Sequence, residues 1–144
     1  MATAVSSVVH RSSFGTESGR GAGGSSQTGG LEPIAAATGD ALTAAFGEAL
    51  KAREIDVSGG RLASDTISEI ELEDGVAVIR RIHVHLKLKA AESDREIAFA
   101  VHESFAGRCP AYRTLKSAIA ITTELSIEPE TEDLILGDQG QKGG

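Results

Sequence analysis

The spacing of apolar and polar residues changes several times along the chain, and each change marks an element. Leu42, Ala45, Phe46, Ala49 and Leu50 recur at i, i+3, i+4, i+7 and i+8, the period of a helix with one buried face. Asp40 can cap this segment, which predicts a helix from Asp40 to about Arg53. After an extended piece around Ile55 and Val57, Gly59 and Gly60 predict a turn, and Ser64 to Leu72 reads as a strand. Glu73, Asp74 and Gly75 supply hairpin chemistry, because Asp-Gly readily takes the positive φ of a tight turn. The strand that follows is predicted from Val76 to about Lys89. It places Val76, Val78, Ile82, Val84, Leu86 and Leu88 on one face, interrupted by Arg80, and Arg81, His83, His85, Lys87 and Lys89 on the other.

Further on, Ser93 and Glu96 have the S-x-x-E spacing of a capping box, so a second helix is expected to start there and carry Ile97, Ala100, Val101 and Phe105 inward. It stops around Gly107. Pro110 suits the first turn of a third, short helix running to about Ser117, which puts Cys109 at or beside that helix's N-cap. Ile119, Ile121, Thr123, Leu125 and Ile127 then alternate as a last strand buried on one face.

The flanks lack such patterns. Residues 12–30 are Gly- and Ser-rich, with too little apolar surface to offset the entropy of ordering them, so residues 1–37 are expected to be a flexible arm that holds degenerate strands at most. Residues 129–144 carry Glu130, Glu132, Asp133 and Asp138 against Lys142 and read as a solvated acidic tail. The patterned part, residues 38–128, has segregated helices and strands, the arrangement of an α+β domain. A core of that size leaves much apolar surface uncovered, and a second copy sharing it would relieve this, so a homodimer is expected.

Composition narrows the partners. The net charge is −7 and aromatics make up 3% of the 144 residues, so neither a basic face nor a stacking platform for nucleic acid is available. No apolar run approaches the roughly 20 residues of a membrane span, and no apolar signal-like stretch follows the start. With one cysteine no internal disulfide can form, which fits a reducing compartment, and a cytoplasmic location is expected.

Two groups of residues could carry chemistry. At a helix N-terminus, with Arg108 and Arg113 close in sequence, the Cys109 thiol would be favoured as thiolate; the competing reading is a small buried hydrophobe. His83 and His85 share a strand face about 7 Å apart, a spacing that can chelate a metal if His102 or Glu103 supplies a third ligand. Arg81 and Lys87 in the same row favour a solvated polar face instead, so no metal is assigned.

The run "RCPAYRTLKSAIAITTELSI", preceded by "DREIAFAVHESFAG" and "RRIHVHLKLKA", resembles the C-terminal half of the OsmC/Ohr family, the osmotically inducible and organic hydroperoxide resistance proteins. His102, Cys109 and Pro110 match the family's order of a helix carrying a His followed by a Cys-Pro pair, and Tyr112 and Arg113 belong to the matching segment after it. "GDALTAAFGEALKAREIDVSGGRL" is similar to the family's long central helix and following strand. The resemblance implies an intertwined α+β homodimer, with a long central helix packed on an antiparallel-rich sheet and active sites at the subunit interface. It also implies thiol-dependent reduction of organic hydroperoxides, with a peroxidatic cysteine on the central helix, a resolving cysteine in the Cys-Pro motif, a dithiol or lipoyl-type reductant, and no metal or organic cofactor.

The chain departs from this pattern at the first thiol. The central-helix cysteine would fall at Ala41, with Leu42 as the alternative register, and Cys109 then occupies the resolving position. The family also draws an Arg, and in the hydroperoxide enzymes a Glu, from the region before the central helix. Arg11, Arg20 and Glu32 sit in no motif that matches them. Two expectations follow: a relative without two-cysteine peroxidase activity that binds a small hydrophobic ligand or serves structurally, or a one-cysteine peroxide reductase or sensor that borrows an external thiol.

Overall fold

The computed structural model describes residues 5–14 and 30–129. The expected flexibility of residues 15–29 and the acidic tail from residue 130 lie outside the described residues. The elements are β1 (Val5–Ser13), α1 (Leu31–Ala52), β2 (Leu62–Glu73), β3 (Val76–Ala90), α2 (Arg95–Ser104), α3 (Pro110–Leu115) and β4 (Ala120–Pro129), with short 3₁₀ turns flanking α2. The sheet runs β1-β2-β3-β4, antiparallel except for the last pair, in which β4 lies parallel to β3. A parallel neighbour needs a crossover, and α2 and α3 provide it. α1 lies on the sheet and touches α2 and α3, giving a two-layer α+β fold.

The first correction concerns the N-terminal region. Residues 5–13, expected in the flexible arm, form β1 and pair with residues 63–71 of β2. α1 begins at Leu31 rather than at Asp40. Pro33 lies in its first turn, where a missing N–H costs nothing, and Glu32 favours the positive end of the helix dipole. Asp40 is therefore a mid-helix residue and not a cap. Gly39, one residue before the expected cap, is there for packing: a Cβ at this position would run into the Thr66 side chain on β2. Small polar residues line the same contact, with Thr43 Oγ1 donating to the Gly39 carbonyl and 2.7 Å from Ser64 Oγ.

α1 ends as a Schellman motif. The N–H groups of Glu54 and Ile55 donate to the carbonyls of Lys51 and Leu50 at 2.8 and 3.0 Å, with Glu54 in the left-handed region at φ 66°. The β2–β3 hairpin closes through Asp74 and Gly75 at φ 54° and 81°, the tight turn that the sequence predicts.

β3 differs from expectation at Arg80. Ile70 pairs with Ile79 and Glu69 with Arg81, so Arg80 is the extra residue of a bulge. Side-chain parity inverts there: Ile82, Val84, Leu86 and Leu88 are buried beyond it, but before it Ile79 faces the core while Val76 is exposed and Val78 half-buried. The arginine that interrupts the apolar face is the residue that switches it. Arg80 pairs outward with Glu71 and Glu73 at 3.0 and 2.9 Å.

Two further expectations fail locally. The Ser93/Glu96 capping box does not form, because Glu92–Asp94 make a 3₁₀ turn and Asp94 precedes α2 without a side-chain cap bond. Ala98 rather than Ala100 joins Val101 and Phe105 in the core. β4 is also less enclosed than predicted, since none of its residues is fully buried and Ile121, Thr123, Leu125 and Ile127 are only half-covered.

Candidate functional site

The candidate residues sit where α1, α2 and α3 meet the inner face of the sheet. On α1, Leu42 is 0% exposed and is a core residue, while Ala41 packs half-buried at the edge of the same cluster. Of the two, Ala41 is the position from which a side chain could reach solvent.

Beside Ala41, Asp40 faces β1. His10 Nε2 lies 3.1 Å from Asp40 Oδ1, and both side chains are partly covered. Sequence reasoning missed this pair, because Asp40 reads as a cap and His10 lies in a short run without decisive periodicity. Alternation along β1 turns Arg11 to the opposite face, where its Nε donates to Asp65 Oδ1 at 3.1 Å. Arg11 is thus directed away from Ala41. Asp65 also accepts from Lys87 at 3.0 Å; burial pushes its carboxyl up, but Lys87 and Arg11 together hold it below the usual value.

On α2, His102 lies under β4. Its Nε2 is 3.0 Å from Thr123 Oγ1, and its ring packs edge-on to Phe46 of α1 at 6.0 Å between centroids and beside Phe105 at 5.8 Å. Phe46 and Phe105 are 5.0 Å apart, so the three rings form one aromatic joint between α1 and α2. Burial pulls the His102 pKa down, against the field of Glu103, which favours the charged ring.

Cys109 is the N-cap of α3, as its place before Pro110 suggests, with extended backbone at φ −90° and ψ 116°. Its N–H donates to the Ala106 carbonyl at 2.9 Å and its carbonyl accepts from Arg113 N at 3.0 Å. The side chain makes no capping bond and is 0% exposed, within the same core as Phe46 and Phe105. Pro110 and Arg113 are exposed, the Arg113 guanidinium donates to the Gly107 carbonyl at 3.3 Å, and Tyr112 packs half-buried against the core. The local backbone is that of a reactive cap, and the burial is that of a packed hydrophobe.

The histidine pair on β3 has a different employment. His83 has both ring nitrogens engaged, Nδ1 at 2.7 Å from Thr122 Oγ1 and Nε2 at 3.0 Å from Glu124 Oε1, and His85 Nε2 is 2.7 Å from Ser126 Oγ. His102 cannot complete a metal site with them. It bonds Thr123, which points to the opposite side of the sheet from Thr122 and Glu124. Among the described residues no group of three or more His, Cys, Asp or Glu side chains could hold a metal ion. The imidazoles fasten β4 to β3, and the hydrogen bond from His83, followed by the charge of His85, holds the Glu124 carboxyl below its usual range.

A mixed sheet covered on one face by helices, with a Cys-Pro cap buried at their junction, defines the class. Residues 23–124 match the OsmC-like proteins, and the chain belongs to that family. Among solved structures it is similar to the OsmC-like protein of Mycoplasma pneumoniae, with 19% identity and a TM-score of 0.53 over 67% of this chain and 70% of that one. A candidate redox protein from Lactobacillus casei gives 17% identity and a TM-score of 0.52 over 67% and 64% of the two chains. No curated protein matches the sequence significantly. No described helix is long and apolar enough to cross a membrane.

Proposed function

We propose that this protein is a cytoplasmic OsmC-like homodimer, related to the thiol-dependent hydroperoxide reductases of oxidative-stress defence, that does not perform two-cysteine peroxidase chemistry. One observation carries the reading: the single thiol, Cys109, is 0% exposed inside the core. A peroxide O–O bond must be reached in line by a thiolate, and the sulfenic acid so formed must then meet a second thiol. Ala41, at the position that the family resemblance assigns to the first thiol, can supply neither.

Two features support the dimer. The inner face of β4 is only half-covered by its own chain, and between α1 and α2 runs a groove of about 640 Å³ lined by Ala45, Ala49, Ala52, Ala100, Val101 and Phe105 together with Glu48, Arg53, Ser104 and Arg108. Small residues on a helix let another backbone approach closely, and a second copy seated there would complete the core. Sedimentation of the full chain is expected to give twice the mass of one chain.

Full-length protein supplied with an organic hydroperoxide and a lipoyl-type dithiol is expected to consume peroxide no faster than its Cys109→Ser variant. A rate that needs the dithiol and disappears in Cys109→Ser would replace this reading with the one-cysteine reductase.

A further inference from the structure

The chain has four histidines, and three of them hold the side chains of β4. They do so from opposite sides. His83 and His85 grip Thr122, Glu124 and Ser126 from the outer face of the sheet, whereas His102 grips Thr123 from the helical layer beneath. The two sides differ in what the imidazole meets. His83 faces a carboxylate, which welcomes a proton on the ring; His102 faces a hydroxyl and two phenyl rings, which do not.

We propose that His102 is a pH-operated latch, whose protonation frees α2 from β4 and opens the buried Cys109 to solvent. The groups around the ring set the sense of the switch. α1 offers it Phe46, the turn after α2 offers Phe105, and β4 offers Thr123, none of them charged. Glu124, next to Thr123, points through the opposite face to His83. Among the described residues the charge that acts on the ring is that of Glu103, its neighbour on α2, and burial outweighs it. A ring whose proton is disfavoured in the closed form takes that proton more readily once exposed. As pH falls through the ordinary histidine value of about 6.5, the open form therefore binds more protons and the closed form loses ground.

The consequence reaches the thiol through contiguous packing. His102 touches Phe105, and Phe105 shares the buried cluster with Cys109 at the end of the same short turn. When α2 swings away, Phe105 leaves the core and uncovers the sulfur, while β4 stays on β3 through its outer bonds. The inference rests on the proposed reading of Cys109 as a closed thiol and adds the condition that opens it.

The test is the labelling rate of Cys109 in the full chain with 4,4′-dithiodipyridine, expressed relative to the chain unfolded in guanidinium at the same pH. This ratio cancels the change in thiolate fraction. It is expected to rise about threefold or more between about pH 7.5 and about pH 5.5. It should stay level in His102→Gln, whose amide can still bond Thr123, and still rise in His83→Gln. A protected, level ratio in the parent chain, or a rise that persists in His102→Gln, overturns the latch alone. Labelling at about pH 7.5 as fast as in the unfolded chain overturns the closed thiol and the latch together. Amide exchange in the unsubstituted protein gives an independent reading: acid should lower protection in Arg95–Ser104 and spare Leu62–Glu73, and a uniform loss overturns the proposal.

Discussion

β3 and β4 lie side by side in one sheet and are held by different physics. β3 is flanked by strands on both sides and buries Ile82, Val84, Leu86 and Leu88 completely under α1. β4 has one neighbouring strand among the described residues, pairs with it in parallel, and buries nothing completely. What β4 lacks in apolar cover it replaces with side-chain hydrogen bonds to histidines. A strand fastened by burial responds to volume, whereas a strand fastened by imidazoles responds to protons. The segment from α2 to β4, which carries the Cys-Pro cap, joins both kinds of hold: Ala98, Val101, Phe105 and Cys109 are buried in the core, and β4 is bonded through His83, His85 and His102.

Leu86 and Leu125 give the largest and most direct test of that contrast, because they are register partners across the β3–β4 ladder. Leu86 is 0% exposed, and Leu86→Ala should cost about 2–5 kcal/mol through lost transfer energy and the cavity left behind. Leu125 is half-buried, so Leu125→Ala should cost about 1 kcal/mol. Denaturant titration of both variants reads the difference. Equal losses would break the comparison, and a Leu125→Ala loss that shrank on dilution would show that a second copy covers β4.

What could be read from the sequence divides along the same line. The β2–β3 hairpin is legible, since Asp74-Gly75 and period-two alternation act over a few residues. The N-cap at Cys109 is legible for the same reason, because Pro110 marks the first turn of α3. The start of α1 is not, because Asp40 reads as a cap, and the place of Gly39 inside the helix is explained only by Thr66 packed against it. Arg80 is visible as an interruption, but only pairing with β2 shows that it is a bulge that flips the face. Nothing local distinguishes a parallel edge strand from a central one, so the exposure of β4 and the partners of His83, His85 and His102 stay hidden. For Cys109 the sequence left a reactive thiol and a small buried hydrophobe both open, because the cap is a local feature whereas the burial depends on packing against the rest of the core.

The smallest effect expected is at Glu124, and it sharpens the contrast between the two sides of β4. Its carboxyl is held below the ordinary value mainly by the hydrogen bond from His83, so it contributes stability above that ordinary value and loses it as pH falls through the folded one. This lies on the acid side of the range in which His102 is expected to respond, about 6.5 and below. The inner hold on β4 should therefore weaken first, and the outer hold only in stronger acid. Because Glu124 is exposed, salt screens the pair and the contribution is slight. Glu124→Gln should leave the unfolding free energy near neutrality almost unchanged and flatten its fall below the ordinary carboxylate value. If the variant falls as steeply as the parent there, the outer clamp does not draw on this carboxylate, and the hydroxyls of Thr122 and Ser126 hold β4 to its histidines without it.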